Sequence, residues 1–153
     1  MPRIRGKGDD PQEPEGAELP STLRRSDVKA QRTFASAHRA ALEEYGDETR
    51  ARRVAFAAVK HTHEKVGDHW EPKLRPGPSD EHAAAGGLDN DLPTAGGVDT
   101  NASKEHLLGL ARRLGIPKRS SMTKAQLVDA VRLANDRATR AARTDGGDES
   151  RPR

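Results

Sequence analysis

One stretch of sequence decides the fold of the N-terminal half of the chain: Arg50-Ala51-Arg52-Arg53-Val54-Ala55-Phe56-Ala57-Ala58-Val59-Lys60-His61. Its valines and alanines recur at helical spacing and form one apolar stripe, which Phe56 widens. A helix that is apolar over so much of its surface must be covered on more than one side. Its small alanine side chains allow a partner helix to approach closely. The stretch therefore predicts a helix at the centre of the first domain.

A second helix is predicted immediately before this stretch. Its apolar and aromatic residues lie near one face from Val28 to Tyr45. Ser26 or Asp27 can cap its start, and Gly46 stands where a C-terminal cap is expected. The two helices together predict a helical hairpin.

The central helix has predicted limits of its own. Asp47 or Thr49 can begin it, and we expect it to fade near residues 64–66 and to stop at Gly67. A short segment with Trp70, the one tryptophan of the chain, follows. The indole either covers the open end of the hairpin or serves as an exposed anchor for a partner, and the first interpretation is favoured.

Composition limits the size of any core. The chain has 153 residues, of which 32% are hydrophobic, 33% charged and 3% aromatic, so long disordered stretches are expected rather than one large core. The absence of cysteine excludes disulfides and thiolate metal sites. No apolar run could span a bilayer and the N-terminus has no signal-peptide core, so we expect a cytoplasmic protein that is not inserted in a membrane.

Charge divides the chain into five segments. Basic residues outnumber acidic ones by twelve to eight in residues 19–75 and by ten to three in residues 103–143. Between them, residues 76–102 hold five acidic residues, no basic one and many Pro and Gly, which is typical of a disordered linker. Residues 1–18 and 144–153 are predicted to be disordered tails. The predicted fold class is all-α: two small helical modules joined by a disordered acidic linker.

The second module, residues 103–143, is predicted from caps and apolar spacing. Ser103 can cap a first helix, which ends at Gly115. A non-helical bridge, residues 116–122, follows because the proline at its second position disfavours helix at the residue before it. The capping box in residues 123–126 then begins a second amphipathic helix.

The first module resembles a known family. The matching residues are Leu19-Pro20, Ala30-Gln31, Phe34, Ala37, Ala41, Tyr45, the run at residues 54–61, Trp70 and Lys73. They look like the ChaB family over about residues 19–73. The resemblance implies a small, mostly helical cytoplasmic domain of a kind named for the regulation of a cation antiporter. Leu42 and Phe56 stand where the family often has tryptophan, and Arg25-Ser26 replace a second Leu-Pro.

The second module has a resemblance of its own. The matching residues are Leu107, Leu110-Ala111, Leu114-Gly115-Ile116, Met122-Thr123-Lys124, Leu127-Val128 and Ala130-Val131. Over about residues 103–135 they resemble the N-terminal helical domain of transcription termination factor Rho and the related SAP-type modules. Such modules often accompany nucleic-acid binding, and some contact DNA through the bridge and the start of the second helix. Others of the same fold class bind proteins.

The strongest candidate site is the bridge together with the start of the helix after it. Unpaired backbone amides and the helix dipole attract a phosphate at such an end. The candidate nucleic-acid-binding residues are Lys118, Arg119, Ser120, Ser121, Thr123 and Lys124, with Arg112, Arg113 and Arg132 extending the positive area. Because the module has no aromatic residue to stack on bases, we expect weak, salt-sensitive binding in which duplex is favoured over single strand. The alternative is a helix cap surrounded by solvated basic side chains.

Catalytic and metal sites are not expected. His61 and His63 stand two apart on the predicted helix and point to nearly opposite sides, so they cannot share one ion, and surface histidines are the favoured interpretation. The sequence has no nucleophile elbow, no phosphate-cradling glycine loop and no carboxylate pair in a plausible apolar cleft. We therefore expect a protein that is not an enzyme, with no cofactor and no small-molecule substrate.

Two functions from different classes remain open. The leading hypothesis is a regulatory protein in which the ChaB-like domain is tethered to a Rho-N/SAP-like nucleic-acid-binding module. The alternative is a protein-interaction adaptor that regulates cation transport and has no nucleic-acid role. Candidate residues for docking a protein partner are Trp70, Arg53 and Lys60. The identity of that partner, the choice between DNA and RNA, and the oligomeric state stay open at this point.

Overall fold

The structure is a computed structural model and describes residues 19–85 and 95–145. Its elements, in chain order, are α1 (Ser21–Arg24), α2 (Val28–Tyr45), α3 (Glu48–Thr62), β1 (His63–Val66), β2 (His69–Pro72), α4 (Glu81–Ala85), α5 (Lys104–Arg113), a 3-10 turn (Arg119–Ser121) and α6 (Lys124–Asp145). The described chain is thus mostly helical. The tail predicted at residues 1–18 lies outside the described residues, and so do residues 146–153 of the tail predicted at 144–153. Helix α6 itself continues two residues past the predicted end of its module.

Helices α2 and α3 form the predicted hairpin, and its predicted caps are present. The Asp27 carboxylate accepts the amide of Ala30 at 2.8 Å and so begins α2. Gly46 ends the helix in the left-handed conformation, with φ of 66°. Asp47 then caps the start of α3 through its side chain. The residues between the two apolar runs therefore fix the turn of the hairpin.

Aromatic rings close the open end of this hairpin. Phe34 on α2 is fully buried, and its ring meets that of Phe56 edge-on with centroids 5.0 Å apart. Trp70 lies beside Phe56, is only 4% exposed, and donates its indole N–H to the Thr22 hydroxyl at 3.2 Å. Trp70 is therefore a residue of the core. Buried alanines line the contact between the two helices: Ala30, Ala35, Ala41, Ala51 and Ala55.

The all-α prediction is wrong in one place, because a small β-hairpin follows α3. The helix ends at Thr62 rather than at Gly67, and β1 pairs with β2 antiparallel around Gly67, whose φ is 69°. A strand sends neighbouring side chains to opposite faces. Val66 on β1 thereby joins the core of the C-terminal helices, while Trp70 on β2 joins the core of the N-terminal ones. Tertiary packing on both faces thus overrides the local helical pattern.

Much of the predicted linker, residues 76–102, is ordered in the structure, although its residues 86–94 lie outside the described part. Ser79 and Asp80 are buried. The Asp80 carboxylate accepts the amide of Ala83 at 2.9 Å and that of Ala95 at 2.8 Å, so it ties the two described parts of the segment together. The composition of this segment is typical of disorder, but its polar side chains form hydrogen bonds to the backbone and so hold it in place.

A glycine lets this segment lie directly against the β-hairpin. Gly97 has φ of 97°, and a Cβ at this position would lie 2.8 Å from Cη2 of Trp70 and 3.0 Å from Cβ of Lys65. The Gly97 carbonyl also accepts the amide of Lys65 at 2.9 Å. Val98, the next residue, is 1% exposed in the second core. The backbone at Gly97 therefore lies close against the β-hairpin and holds the segment in place. Composition alone does not reveal such a contact.

Helices α5 and α6 form the helix-bridge-helix unit that the sequence predicts. Ser103 caps α5 through its hydroxyl. At the other end, Gly115 is left-handed with φ of 73°, and the amide of Ile116 returns to the carbonyl of Ala111 at 2.9 Å, as in a Schellman motif. The buried core of this unit consists of Leu107, Leu110, Ala111, Ile116, Leu127 and Val131, together with Val66, Ala95 and Val98.

The β-hairpin is shared by both helical units. Asn135 of α6 is 1% exposed; its Oδ1 accepts the amide of Gly67 at 2.6 Å, and its Nδ2 donates to the carbonyl of Lys65 at 2.9 Å. Arg113 of α5 donates two hydrogen bonds to the Glu71 carboxylate, at 2.6 and 3.1 Å. The two helical units are thus in direct contact, whereas the sequence predicts modules joined only by a linker.

Candidate nucleic-acid interface

Buried apolar side chains hold the bridge between α5 and α6 at each end. Ile116 is 9% exposed in the C-terminal core, and Met122 packs against the same core. Between them, residues 119–121 form a single 3-10 turn. Lys118 precedes this turn in the left-handed conformation, with φ of 57°, and within the described ranges no other residue except glycine has a positive φ. The anchored bridge therefore presents Lys118 and two serines of the turn to solvent.

Helix α6 begins with the predicted capping box. The Thr123 hydroxyl accepts the amide of Gln126 at 3.1 Å, and the Gln126 side chain accepts the amide of Thr123 at 2.9 Å. The amides of Lys124 and Ala125, in the first turn, have no preceding helical carbonyl to bond. Both residues are exposed, and they stand at the positive end of the helix dipole. This end of α6 is therefore suited to an anion.

The structure divides the predicted nucleic-acid-binding residues into two groups. Exposed residues form the first group: Lys118, Ser120, Ser121, Thr123 and Lys124, here called the bridge cluster, and Arg112 near the end of α5. The second group makes contacts within the protein: Arg113, Arg119 and Arg132. The bridge cluster therefore offers its charges to solvent, and the second group is engaged in holding the fold.

Two of these engaged arginines support the bridge and α6. Arg119 donates from its guanidinium to the carbonyl of Ile116 at 2.9 Å. Arg132 lies 3.7 Å from Asp129, and its methylenes pack beside Gly96. The Arg132–Asp129 pair stands three residues apart on one helix, a spacing at which side chains meet. The contact from Arg119 to Ile116 depends instead on the conformation of the bridge.

The third engaged arginine joins α5 to β2. The paired hydrogen bonds from Arg113 hold the pKa of the Glu71 carboxyl below its ordinary value; partial burial opposes this effect, and His69, 2.8 Å away, reinforces it. The same pair raises the pKa of Arg113. Arg113 is thus a structural cation in this fold.

Replacing Glu71 with glutamine is expected to reduce the acid sensitivity of the fold. Because the folded pKa is lowered, ionised Glu71 stabilises the protein above its unfolded pKa, and this stabilisation is lost as pH falls through the folded pKa. We expect E71Q to lose about 0.5–1 kcal/mol of unfolding free energy at about pH 7, a small figure because half-exposed Arg113 is screened by solvent. The loss should be smaller at about pH 3, because protonation of Glu71 in the native protein begins to remove the same stabilisation.

Urea denaturation at the two pH values measures this effect. E44Q, which removes an exposed carboxylate from α2, is the matched control and should show no such change. A loss in E71Q that is equal at both pH values would contradict the assignment.

The three residues predicted to dock a protein partner line a single cleft. Arg53 and Lys60 come from α3, Trp70 comes from β2, and the cleft has a volume of about 840 Å³. Trp70 contributes a wall rather than a protruding anchor, because it is 4% exposed. Sequence reasoning missed that these residues meet, because the β-hairpin brings the indole beside α3. It also missed the wall that residues 78–83 add.

The histidines near the end of α3 do not meet around an ion. His61 is exposed, but His63 is 1% exposed, contrary to the expected surface position. Burial lowers the pKa of His63, and Asp27, whose Oδ1 lies 3.4 Å from Nε2, acts in the opposite direction. Within residues 19–85 and 95–145, no three His, Cys, Asp or Glu side chains are grouped to hold a metal. No helix of these ranges has the length and apolarity that crossing a membrane requires.

Comparison with known proteins identifies one part of the chain. Residues 19–73 match the ChaB family, so this part is a ChaB-like domain that runs from just before α1 to just after β2. No curated protein and no solved structure matches the chain. The resemblance of residues 103–135 to Rho-N and SAP-type modules stays a prediction.

Proposed function

We propose that this protein is a non-enzymatic regulator whose C-terminal helix pair holds nucleic acid by its phosphate backbone, while the ChaB-like domain docks a protein partner. The observation that carries the proposal is the bridge cluster. Two lysines and three hydroxyls surround the amide-rich start of α6. Ten basic residues against three acidic ones in residues 103–143 supply a favourable field around it.

The chemistry of the cluster favours phosphate over bases. Lysine ammoniums, the hydroxyls of Ser120 and Thr123, and free amides are donors that match phosphate oxygens, whereas the Ser121 hydroxyl donates to the carbonyl of Lys118. Residues 103–143 contain no Phe, Tyr or Trp for stacking on unpaired bases. We therefore expect weak binding that follows the backbone of a duplex, reads no sequence, and weakens steeply with added salt.

The backbone of Lys118 also supports a binding role for the bridge. A left-handed conformation costs a residue with a Cβ about 1–2 kcal/mol, whereas glycine adopts it without this penalty. The chain nevertheless places a lysine there, with φ of 57°. Strained positions persist only where the surrounding structure holds them in place, and they cluster at functional sites. The presence of lysine at a position that favours glycine therefore supports a role for the Lys118 side chain in binding phosphate.

A double variant, Lys118→Gln with Lys124→Gln, tests the proposal on the full chain. We expect affinity for a short labelled DNA duplex to fall about tenfold at low salt, and the slope of log K against log salt to decrease by about two. Fluorescence anisotropy titrations at several salt concentrations measure both quantities.

The matched control is Lys29→Gln with Arg39→Gln. Both residues are exposed on α2, and the pair removes the same net charge from the chain. This control should bind as the native protein does. An equal loss in both double variants would assign the binding to net charge alone, and an absence of binding by the native protein at low salt would refute the proposal.

Nuclease treatment separates the two parts of the proposal. We expect the native protein, recovered from cells, to lose bound nucleic acid after digestion and to keep any partner docked on the ChaB-like domain. Loss of every associated protein after digestion would contradict the docking role of the ChaB-like domain. Recovery of the protein without nucleic acid before digestion would contradict the nucleic-acid-binding role of the C-terminal helix pair.

A further inference from the structure

The cleft beside α3 has the dimensions of a ligand site. It lies between α3, the β-hairpin and residues 78–83, with Gly96 and α6 at its margin. Its volume of about 840 Å³ falls in the range of about 300–1,000 Å³ that small-molecule sites occupy. Phe56 and Ala57 of α3 and an edge of Trp70 supply apolar walls. The cleft thus combines apolar walls with a small number of charged groups, the usual composition of a ligand pocket.

Basic side chains predominate among the charged groups of the cleft. The cations are Arg53, Lys60 and Lys65, the acidic groups are Asp80 and Asp136, and the imidazole rings of His61 and His82 add polar atoms. The Asp80 carboxylate already accepts the amides of Ala83 and Ala95, so part of its charge is satisfied within the fold. The balance of charge on the walls therefore favours an anionic occupant.

Lys60 is the cation best placed to meet that occupant. It lies on α3, four residues from the half-buried ring of Phe56 and on the same side of the helix. Burial lowers the pKa of Lys60, and Asp80 only partly opposes this effect. A desolvated ammonium gains more from an anionic partner than one in water does.

We propose that this cleft binds a small organic anion, with a flat apolar body against Phe56 and its anionic group at Lys60. A neutral molecule of the same shape would keep the apolar contact and lose the charge pairing. A simple inorganic anion would keep the pairing and leave the apolar wall uncovered. The proposal is independent of the nucleic-acid interface, since none of the bridge cluster lines this cleft.

A matched pair of fluorescent probes tests this site on the full chain. The anion is 5-dimethylaminonaphthalene-1-sulfonate, and its neutral counterpart is the corresponding sulfonamide. We expect the sulfonate to gain fluorescence on binding, to bind more tightly than the sulfonamide, and to lose about tenfold in affinity in K60Q, the loss of one charge-assisted hydrogen bond. K60R, which keeps the charge, should retain most of the binding.

The control variant is K104Q, which removes an exposed lysine at the start of α5 and should bind the sulfonate as the native protein does. Circular dichroism checks that each variant is folded. Equal affinity for the two probes, or an unchanged affinity in folded K60Q, would overturn the proposal. Displacement of the sulfonate by a short DNA duplex would also overturn it, because the cleft would then belong to a nucleic-acid surface.

Discussion

Replacing Gly97 with alanine will lower the free energy of unfolding by about 3 kcal/mol, which combines the cost of a left-handed non-glycine residue with that of overpacking. The new Cβ would lie 2.8 Å from the Trp70 ring and 3.0 Å from Cβ of Lys65, and φ here is 97°. Neither neighbour can move easily, because Trp70 is buried in one core and the backbone of Lys65 is hydrogen-bonded to Gly97 and to Asn135. Urea denaturation followed by circular dichroism measures the loss.

Gly115→Ala is the matched control for this variant. Gly115 is also left-handed, with φ of 73°, but a Cβ there would meet nothing within 4 Å. It should therefore lose only the conformational cost, about 1 kcal/mol. If the two variants lose equal stability, the close contact between the linker and the indole is absent in solution.

Replacing Asn135 with alanine will also destabilise the protein by about 3 kcal/mol, since a buried backbone group left without its partner costs about 1–3 kcal/mol. The side chain is 1% exposed and satisfies the amide of Gly67 and the carbonyl of Lys65. The alanine variant leaves both groups unpaired between β1 and α6. Urea denaturation of the full chain gives the change in unfolding free energy.

An exposed asparagine provides the comparison for this second variant. Asn101 donates from its side chain to the carbonyl of Pro78 at 2.7 Å, but it remains accessible to water. Asn101→Ala should lose about 1 kcal/mol or less, because water can replace the hydrogen bond. Similar losses in the two variants would show that the contact between α6 and the β-hairpin is not buried.

The sequence predicts well the features that short segments determine. Asp27, Gly46 and the capping box of residues 123–126 occupy their expected positions, because a cap depends on a few neighbouring residues. The apolar stripes likewise identify α2, α3, α5 and α6. These local signals place the bridge cluster at the start of α6 without knowledge of the tertiary fold.

Contacts between distant residues account for what the sequence does not reveal. Val66 and Trp70 form a β-hairpin because each enters a different core, and neither core can be recognised from a window of neighbouring residues. From the sequence, Gly97 is predicted to be a linker residue, because its contact with the Trp70 ring depends on the tertiary fold. In the candidate interface, Arg113 counts as a binding cation until its pairing with Glu71 is seen.

The position of Val66 has a consequence for the limits of a self-sufficient fragment. This side chain lies inside the ChaB-like domain, yet it is covered by helices that come much later in the chain. Removing the chain after residue 73 would expose the Val66 side chain to water, together with the backbone groups to which Asn135 is hydrogen-bonded. The family match therefore ends before the cooperative folding unit does. A ChaB-like domain moved into another protein would need other apolar residues to bury Val66.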